Sequence, residues 1–369
     1  MSQNKKTVRE PLIHVTRRVG LIWWKGWLIR LGAILLALVI CALLVVVLTD
    51  YNPFDVFKSL IRGSFSTYQK FLMLMQKTAI LLCISLAVTP VFKMKFWNLG
   101  AEGQVLVGGL ATAACMIILG NKVPTALLLV IMVIASMLAG IIWVIIPAYF
   151  KAKFNTNETL FTLMMNYVAI QLVSMMIQVW DKSGSSTVGI INSDTQAGWL
   201  PILFGNKYYL NIIIVALLTA GMFIYLKYSK QGYEISVVGE SENTARYIGI
   251  NVKKVILRTS VISGAVCGIA GLLLVAGTDR TINTDTAGGQ GFTAVLVSWL
   301  AKFNPVIMVF TSLLVMFLQR GANQIASDLG LNRSIADIFT GIILVFIIGS
   351  EFFINYKLNF RKSNKEDAE

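Results

Sequence analysis

The sequence predicts an all-α polytopic membrane protein with about ten transmembrane helices and an inverted internal repeat. Three observations predict it: apolar content, segment length, and a glycine-rich motif that occurs twice. Hydrophobic residues make up 56% of the 369-residue chain and charged residues 14%, with a mean hydropathy of +0.72. A water-soluble chain of this length has no interior large enough to hide so much apolar surface.

The chain opens on a basic tail, residues 1–26, in which Lys5, Lys6, Arg9, Arg17, Arg18 and Lys25 precede the first apolar stretch, with Arg30 just inside it. That stretch is too long and begins too late for a signal-peptide core, so it reads as a retained anchor. Crossing a hydrocarbon layer of about 30 Å takes about 20 mainly apolar residues at about 1.5 Å each. Segments that approach this run over 27–48, 71–92, 103–119, 125–147, 158–179, 209–226, 257–277, 289–301, 305–319 and 334–353, the third, eighth and ninth being short. The transmembrane domain is therefore 27–353, followed by a second basic tail, 354–369.

With the N-terminus in the cytoplasm, the inside segments carry 22 Lys+Arg and the outside segments 10. The positive-inside rule then places both termini in the cytoplasm. The outside loop with Lys58, Arg62 and Lys70 runs mildly against the trend. Basic tails and loops beside anionic lipid account for the net charge of +14 without any nucleic-acid partner.

Ala101-Glu102-Gly103-Gln104 is matched 186 positions later by Ala287-Gly288-Gly289-Gln290. The third to seventh segments lie between the two glutamines, an odd number, so the second copy enters from the opposite face. Pro124 and Pro305 keep step, as do Asn157-Glu158-Thr159-Leu160 and Asn332-Arg333-Ser334-Ile335. The repeat halves are then 71–179 and 257–353, and inverted repeats place a pathway where the halves meet.

No G-x-x-x-x-G-K-[ST] stretch is present, so the sequence lacks that cradle for nucleotide phosphates. Span centres are nearly free of charge, whereas a pump or carrier is expected to keep ionisable groups there. Glu102, Glu158 and Asp337 stand near helix N-termini, where the dipole favours an anion, and Glu351 stands near a helix end. Paired carboxylates at Glu102 and Glu158 are the one catalytic arrangement available, with nothing beside them to complete it. His14, the only histidine, offers no metal site, and Cys41, Cys83, Cys115 and Cys267 lie in apolar runs as packing residues.

The polar residues that enter the spans include Gln104, Asn166, Gln171, Ser174, Gln178, Gln290, Asn323 and Gln324. Amides both donate and accept, which suits a path for a neutral polar solute and equally suits hydrogen bonding between helices. Trp97, Phe292 and Trp299 flank the two Gln motifs, as stacking surfaces or as interfacial anchors. The candidate pathway set is Asn98, Glu102, Gln104, Glu158, Asn166, Gln290, Phe292 and Trp299. Gly264-x-x-x-Gly268 permits close helix approach. In the loop 227–258, Ser241 or Asn243 caps a short helix through Tyr247 that Gly249 ends.

NLGAEGQVLVGG at 98–109, NETLFTLMMNYVA at 157–169, GYEISVVGESENTARYIGINVKK at 232–254 and AGGQGFTAVLVSWLAKFNP at 287–305 resemble the permease subunits of bacterial ABC importers for nucleosides and related simple sugars. The long N-terminal extension is similar to that of the larger of the two paired nucleoside permeases. The resemblance implies a multi-pass, non-enzymatic subunit of the bacterial plasma (inner) membrane, paired with a second, homologous permease. It implies a cytoplasmic ATPase with two nucleotide-binding halves, which would hold the ATP and Mg, so no cofactor is expected in this chain. An extracytoplasmic substrate-binding lipoprotein would deliver the solute. The loop 227–258 would be the coupling loop, with Gly239, Glu240, Ala245, Arg246, Tyr247 and Gly249 meeting the ATPase. The expected solute is a nucleoside; the alternatives are a ribose-like sugar and an ion-coupled secondary carrier. Thr159-Leu160 stands where the family usually has Val and Ile, and Leu99 where it has Ile.

Overall fold

The computed structural model describes residues 13–18, 23–48, 53–181, 185–330 and 332–360; the rest of both basic tails lies outside them. The described residues form β1 (Ile13–Arg17), α1 (Trp23–Leu48), α2 (Pro53–Phe65), α3 (Tyr68–Lys93), α4 (Ala101–Leu119), α5 (Thr125–Phe154), α6 (Glu158–Trp180) and α7 (Tyr209–Tyr228). There follow α8 (Lys230–Glu240), α9 (Glu242–Tyr247), α10 (Val252–Leu272) with a π-helical turn over Leu273–Asp279, α11 (Gln290–Leu300), α12 (Pro305–Asp328), α13 (Arg333–Asn355) and β2 (Tyr356–Phe360). The helices separate into two units, Ser64–Arg320 and the segments to either side of it.

Short polar residues set where the helices start. Thr67, Asn157, Ser229, Ser241 and Asn251 each accept a backbone N–H of the first turn, at 2.9–3.3 Å. Asn332 caps α13 in the way that Asn157 caps α6, and Pro124 and Pro305 open α5 and α12. Asn155 in the left-handed region ends α5, whose last turn carries Lys151 and Lys153 beside the negative end of the helix dipole.

In the central unit α3, α4 and α10 are the inner helices, buried over most of their length, while α5, α6 and α7 leave most of theirs exposed. Lipid tails are as apolar as leucine, so helix association here rests on close fit rather than on expelling water. The fit is made by small residues: a methyl on Gly264 would lie 2.5 Å from the Gly140 carbonyl oxygen, and one on Gly268 would lie 2.1 Å from that of Ser136. This is the packing role predicted for the pair. All four cysteines are free and lie in helices, three of them buried.

Nine helices among the described residues are long and apolar enough to cross a membrane. The expectation of ten full spans is corrected at the eighth segment: α11 has 11 residues and rises about 16 Å, roughly half a bilayer core. The third and ninth segments are full length, at 19 and 24 residues. The stretch from Arg280 to Gly289 leaves the π-helical end of α10 and leads inward to α11. The last turn of α11 lies against the C-terminal half of α3, with Ser298 Oγ donating to the Ser85 carbonyl at 3.0 Å. Loop and short helix together make one passage across this unit, so the tenth crossing is half helical.

In the other unit α1 packs on α13, and Arg30 Nε donates to Glu351 Oε1 at 3.1 Å. β1 and β2 pair antiparallel, Ile13 opposite Phe360 and Arg17 opposite Tyr356. The chain therefore enters α1 and leaves α13 on one face. These strands, the start of α1 at Trp23 rather than 27, and the amphipathic α2 depart from the predicted elements.

Candidate functional site

The two glycine-rich motifs meet. Glu102, in the first turn of α4, reaches across to the start of α11: its Oε1 accepts the Gly289 N–H and its Oε2 the Gly291 N–H, both at 2.7 Å. A helix start leaves its first N–H groups unpaired and carries partial positive charge, so a carboxylate is well matched to it. Gly288 and Gly289 have φ of +58° and +72°, a left-handed turn that turns these amides toward the acid. Gly291 is required by closeness, since a methyl there would sit 2.4 Å from the Glu102 nitrogen. The sequence reading of Glu102 as a cap holds, but the helix it caps belongs to the second motif.

The start of α4 is held by other polar side chains. Asn166 on α6 accepts the Gly103 N–H at 2.9 Å and donates to the Leu99 carbonyl at 2.8 Å. Thr162, one turn earlier, accepts the Leu99 N–H at 3.1 Å. Asn98 Oδ1 accepts both the Gly100 N–H at 3.0 Å and Gln104 Nε2 at 3.2 Å. Because the Gly100 N–H needs an acceptor, this contact fixes how the Asn98 amide points, and in turn that of Gln104. Asn98 Nδ2, Gln104 Oε1 and Gln290 Oε1 are left without protein partners.

Glu158 does not join this cluster. Its partner is Lys151 at the end of α5, 2.9 Å away, so the two acids are engaged separately and do not form an acid–base pair. Trp299, two turns along α11 from Phe292, lies 5.3 Å from Trp97 between ring centroids, and all three rings are exposed. Gln171 and Gln178 face outward from α6. Among the described residues no group of three His, Cys, Asp or Glu could hold a metal ion.

The loop 227–258 holds two helices rather than one. α8 lies against the end of α3: a methyl on Gly239 would be 2.0 Å from the Lys93 carbonyl oxygen, and Lys95 Nζ donates to the Glu240 carbonyl at 3.3 Å. Ser241, not Asn243, caps α9. Ala245 is buried, Arg246 pairs with Glu242 at 3.3 Å, Gly249 ends the helix with φ +86°, and Tyr247 is 94% exposed. The residues between Lys93 and Gly100 thus link this surface element directly to the start of α4.

Sequence reasoning missed Thr162, Gly291 and Ser298. For Thr162 the signal was legible: Glu158, Thr162 and Asn166 are spaced by four, one buried polar stripe on a mainly apolar helix. It also missed the network at the far end, where Thr278 in the π-helical turn binds Gln76 at 2.6 Å and Asn211 at 3.1 Å.

A polytopic helical bundle whose two glycine-rich helix starts meet inside it has the architecture of a membrane permease. Residues 71–348 match the family described as branched-chain amino acid transport system / permease component, and the chain belongs to that family. It is a transport subunit. It is similar to the guanosine ABC transporter permease protein NupP of Bacillus subtilis (strain 168), 29% identical over 327 residues, which cover 88% of this chain and 93% of that protein. It is also similar to the nucleoside ABC transporter permease protein NupB of Lactococcus lactis subsp. cremoris (strain MG1363), 26% identical over 326 residues, 85% and 88% of the two chains. The glucose ABC transporter permease protein TsgB13 of Haloferax volcanii is 26% identical over 303 residues, 78% and 79%.

Proposed function

We propose that this chain forms, with a second homologous permease, the translocation path for nucleosides in an ABC importer of the plasma membrane. The observation that carries the solute is the exposed side of α11. Phe292 and Trp299 stand on one exposed helical stripe, and Trp97 lies beside Trp299. Aromatic faces suit a flat base. Relatives named for guanosine and for nucleosides support this choice. The relative named for glucose supports the sugar reading, in which the hydroxyls alone are recognised.

The pathway residues then divide by role. Phe292 and Trp299 face the solute, while Asn98, Glu102, Gln104, Asn166 and Glu158 hold the helices that present them, and Gln290, whose Oε1 is buried, stands at the start of α11. In this reading 71–179 and 257–353 are duplicated halves, but they do not rock apart. α10 of the second half packs on α3, α4 and α5 of the first, through contacts a single methyl would disrupt. Alternate access then arises between this chain and the second permease. α8 and α9 take the thrust of a cytoplasmic ATPase at Tyr247 and pass it through Lys93–Gly100, with both termini on that same side. A lipoprotein delivers the solute on the opposite side.

The test is uptake by the complete transporter in proteoliposomes. Phe292→Ala and Trp299→Ala should weaken transport of a labelled nucleoside several-fold more than that of ribose. Equal losses for both solutes would favour the sugar reading.

A further inference from the structure

Glu102 is the one acidic side chain shown to bond to backbone on the partner motif, and the pathway reading leaves it no contact with solute. We propose that Glu102 is a positioning residue whose carboxylate pins the start of α11 to the start of α4, and that transport requires this pin to stay closed through the cycle. The inference rests on the permease reading above and concerns what holds its solute-facing helix in place.

Three observations converge on it. Both carboxylate oxygens accept backbone N–H groups, at 2.7 Å each, from residues 187 and 189 positions away in sequence. Two acceptors aimed at two donors fix the approach in distance and in angle, which one bond would not do. The backbones touch at Gly291, so nothing separates the helices that could act as a bearing. And α11 is anchored at its other end too, where Ser298 meets Ser85 and Trp299 meets Trp97.

A helix of 11 residues is short to hold its own shape, and with Gly288 and Gly289 before it the chain has no stiff lead into it. The carboxylate supplies that stiffness. It places Phe292 and Trp299 by fixing the helix rather than by touching cargo. Because α4 begins a few residues beyond the α3–α8 contact, α11 is carried along with any movement of Lys93–Gly100 instead of lagging behind it.

The experiment uses the assembled transporter with Glu102→Gln, which keeps the shape and one acceptor oxygen but turns an NH2 group on the second backbone amide. Three quantities are read: hydrogen–deuterium exchange over residues 286–294, ATP hydrolysis, and solute moved per ATP. Exchange should rise at least tenfold, hydrolysis should stay near wild type, and solute per ATP should fall about tenfold. Gly291→Ala pries the same contact without altering the charge and should give the same pattern, while Lys151→Met, at the separate Glu158 pair, should not. Unchanged exchange in both Glu102→Gln and Gly291→Ala overturns the proposal. So does faster exchange with full transport per ATP. Should Glu102→Gln fail to assemble, the Gly291→Ala complex decides by the same criteria. Exchange over 286–294 does not depend on what is transported, so a wrong solute leaves the pin testable by itself.

Discussion

Replacing Gly268 with alanine isolates the packing that holds the inner helices together. The added methyl would lie 2.1 Å from the Ser136 carbonyl oxygen, 2.7 Å from its carbon and 3.0 Å from the Met137 Cα, all backbone atoms that no rotamer change can move. Restoring an ordinary contact of 3.4 Å to that oxygen requires α10 and α5 to separate locally by about 1.3 Å. A gap of 0.5–1 Å already forfeits a quarter to a half of a contact's dispersion energy, and overpacking costs roughly 1–3 kcal/mol. Alanine is a better helix former than glycine by about 1 kcal/mol, which offsets part of the loss. The net is a destabilisation of up to about 2 kcal/mol, read as earlier thermal unfolding of the purified chain in nanodiscs. Gly221→Ala on α7 is the matched control, because a methyl there meets nothing within 4 Å and should be neutral or slightly stabilising. Equal unfolding temperatures for the two variants would refute the close-packing account of α10.

Asn166→Ala leaves the Gly103 N–H and the Leu99 carbonyl without partners, at about 1–3 kcal/mol for each buried group, so the chain should unfold earlier than Gln171→Ala on the exposed face of the same helix. Lys151→Met removes the partner of a buried acid, Glu158, and should cost about 3–5 kcal/mol in the same unfolding assay. Gly249→Val forces a β-branched residue into a left-handed turn; stimulated ATP hydrolysis in the complete transporter should fall while the subunits still co-purify.

Much of this was legible in the residues, and what was not has identifiable causes. Long apolar runs report spans well because an unpaired backbone cannot cross lipid, so segment length locates seven of the nine outright, while the third and ninth read short at 103–119 and 305–319 and prove full length. Length fails at α11: an apolar run of 289–301 does not reveal that half of its crossing is made by the polar loop before it. The cap of α9 could be narrowed from sequence to Ser241 or Asn243 because capping is local. The partner of Glu102 could not be, since a contact across 187 positions leaves no local trace. Yet the repeat itself hinted at it, as two motifs with inverted entry bring their helix starts to face each other. The buried amides show the limit of reading residue type alone. Gln104 and Asn166 looked equally fit for a solute or for a neighbouring helix, and only the groups around them showed that Asn166 holds the backbone of Leu99 and Gly103 while Gln104 bonds to Asn98. β1 and β2 are short and far apart in sequence, so neither carries a pattern that reveals the other.

The central claim, a subunit that moves nucleosides only when a separate ATPase drives it, is tested most directly by uptake of a radiolabelled nucleoside into proteoliposomes. Vesicles with this chain alone should neither accumulate the nucleoside nor hydrolyse ATP, and vesicles holding the second permease, the ATPase and the binding protein as well should do both. ATP hydrolysis or concentrative uptake by the isolated chain would contradict the account.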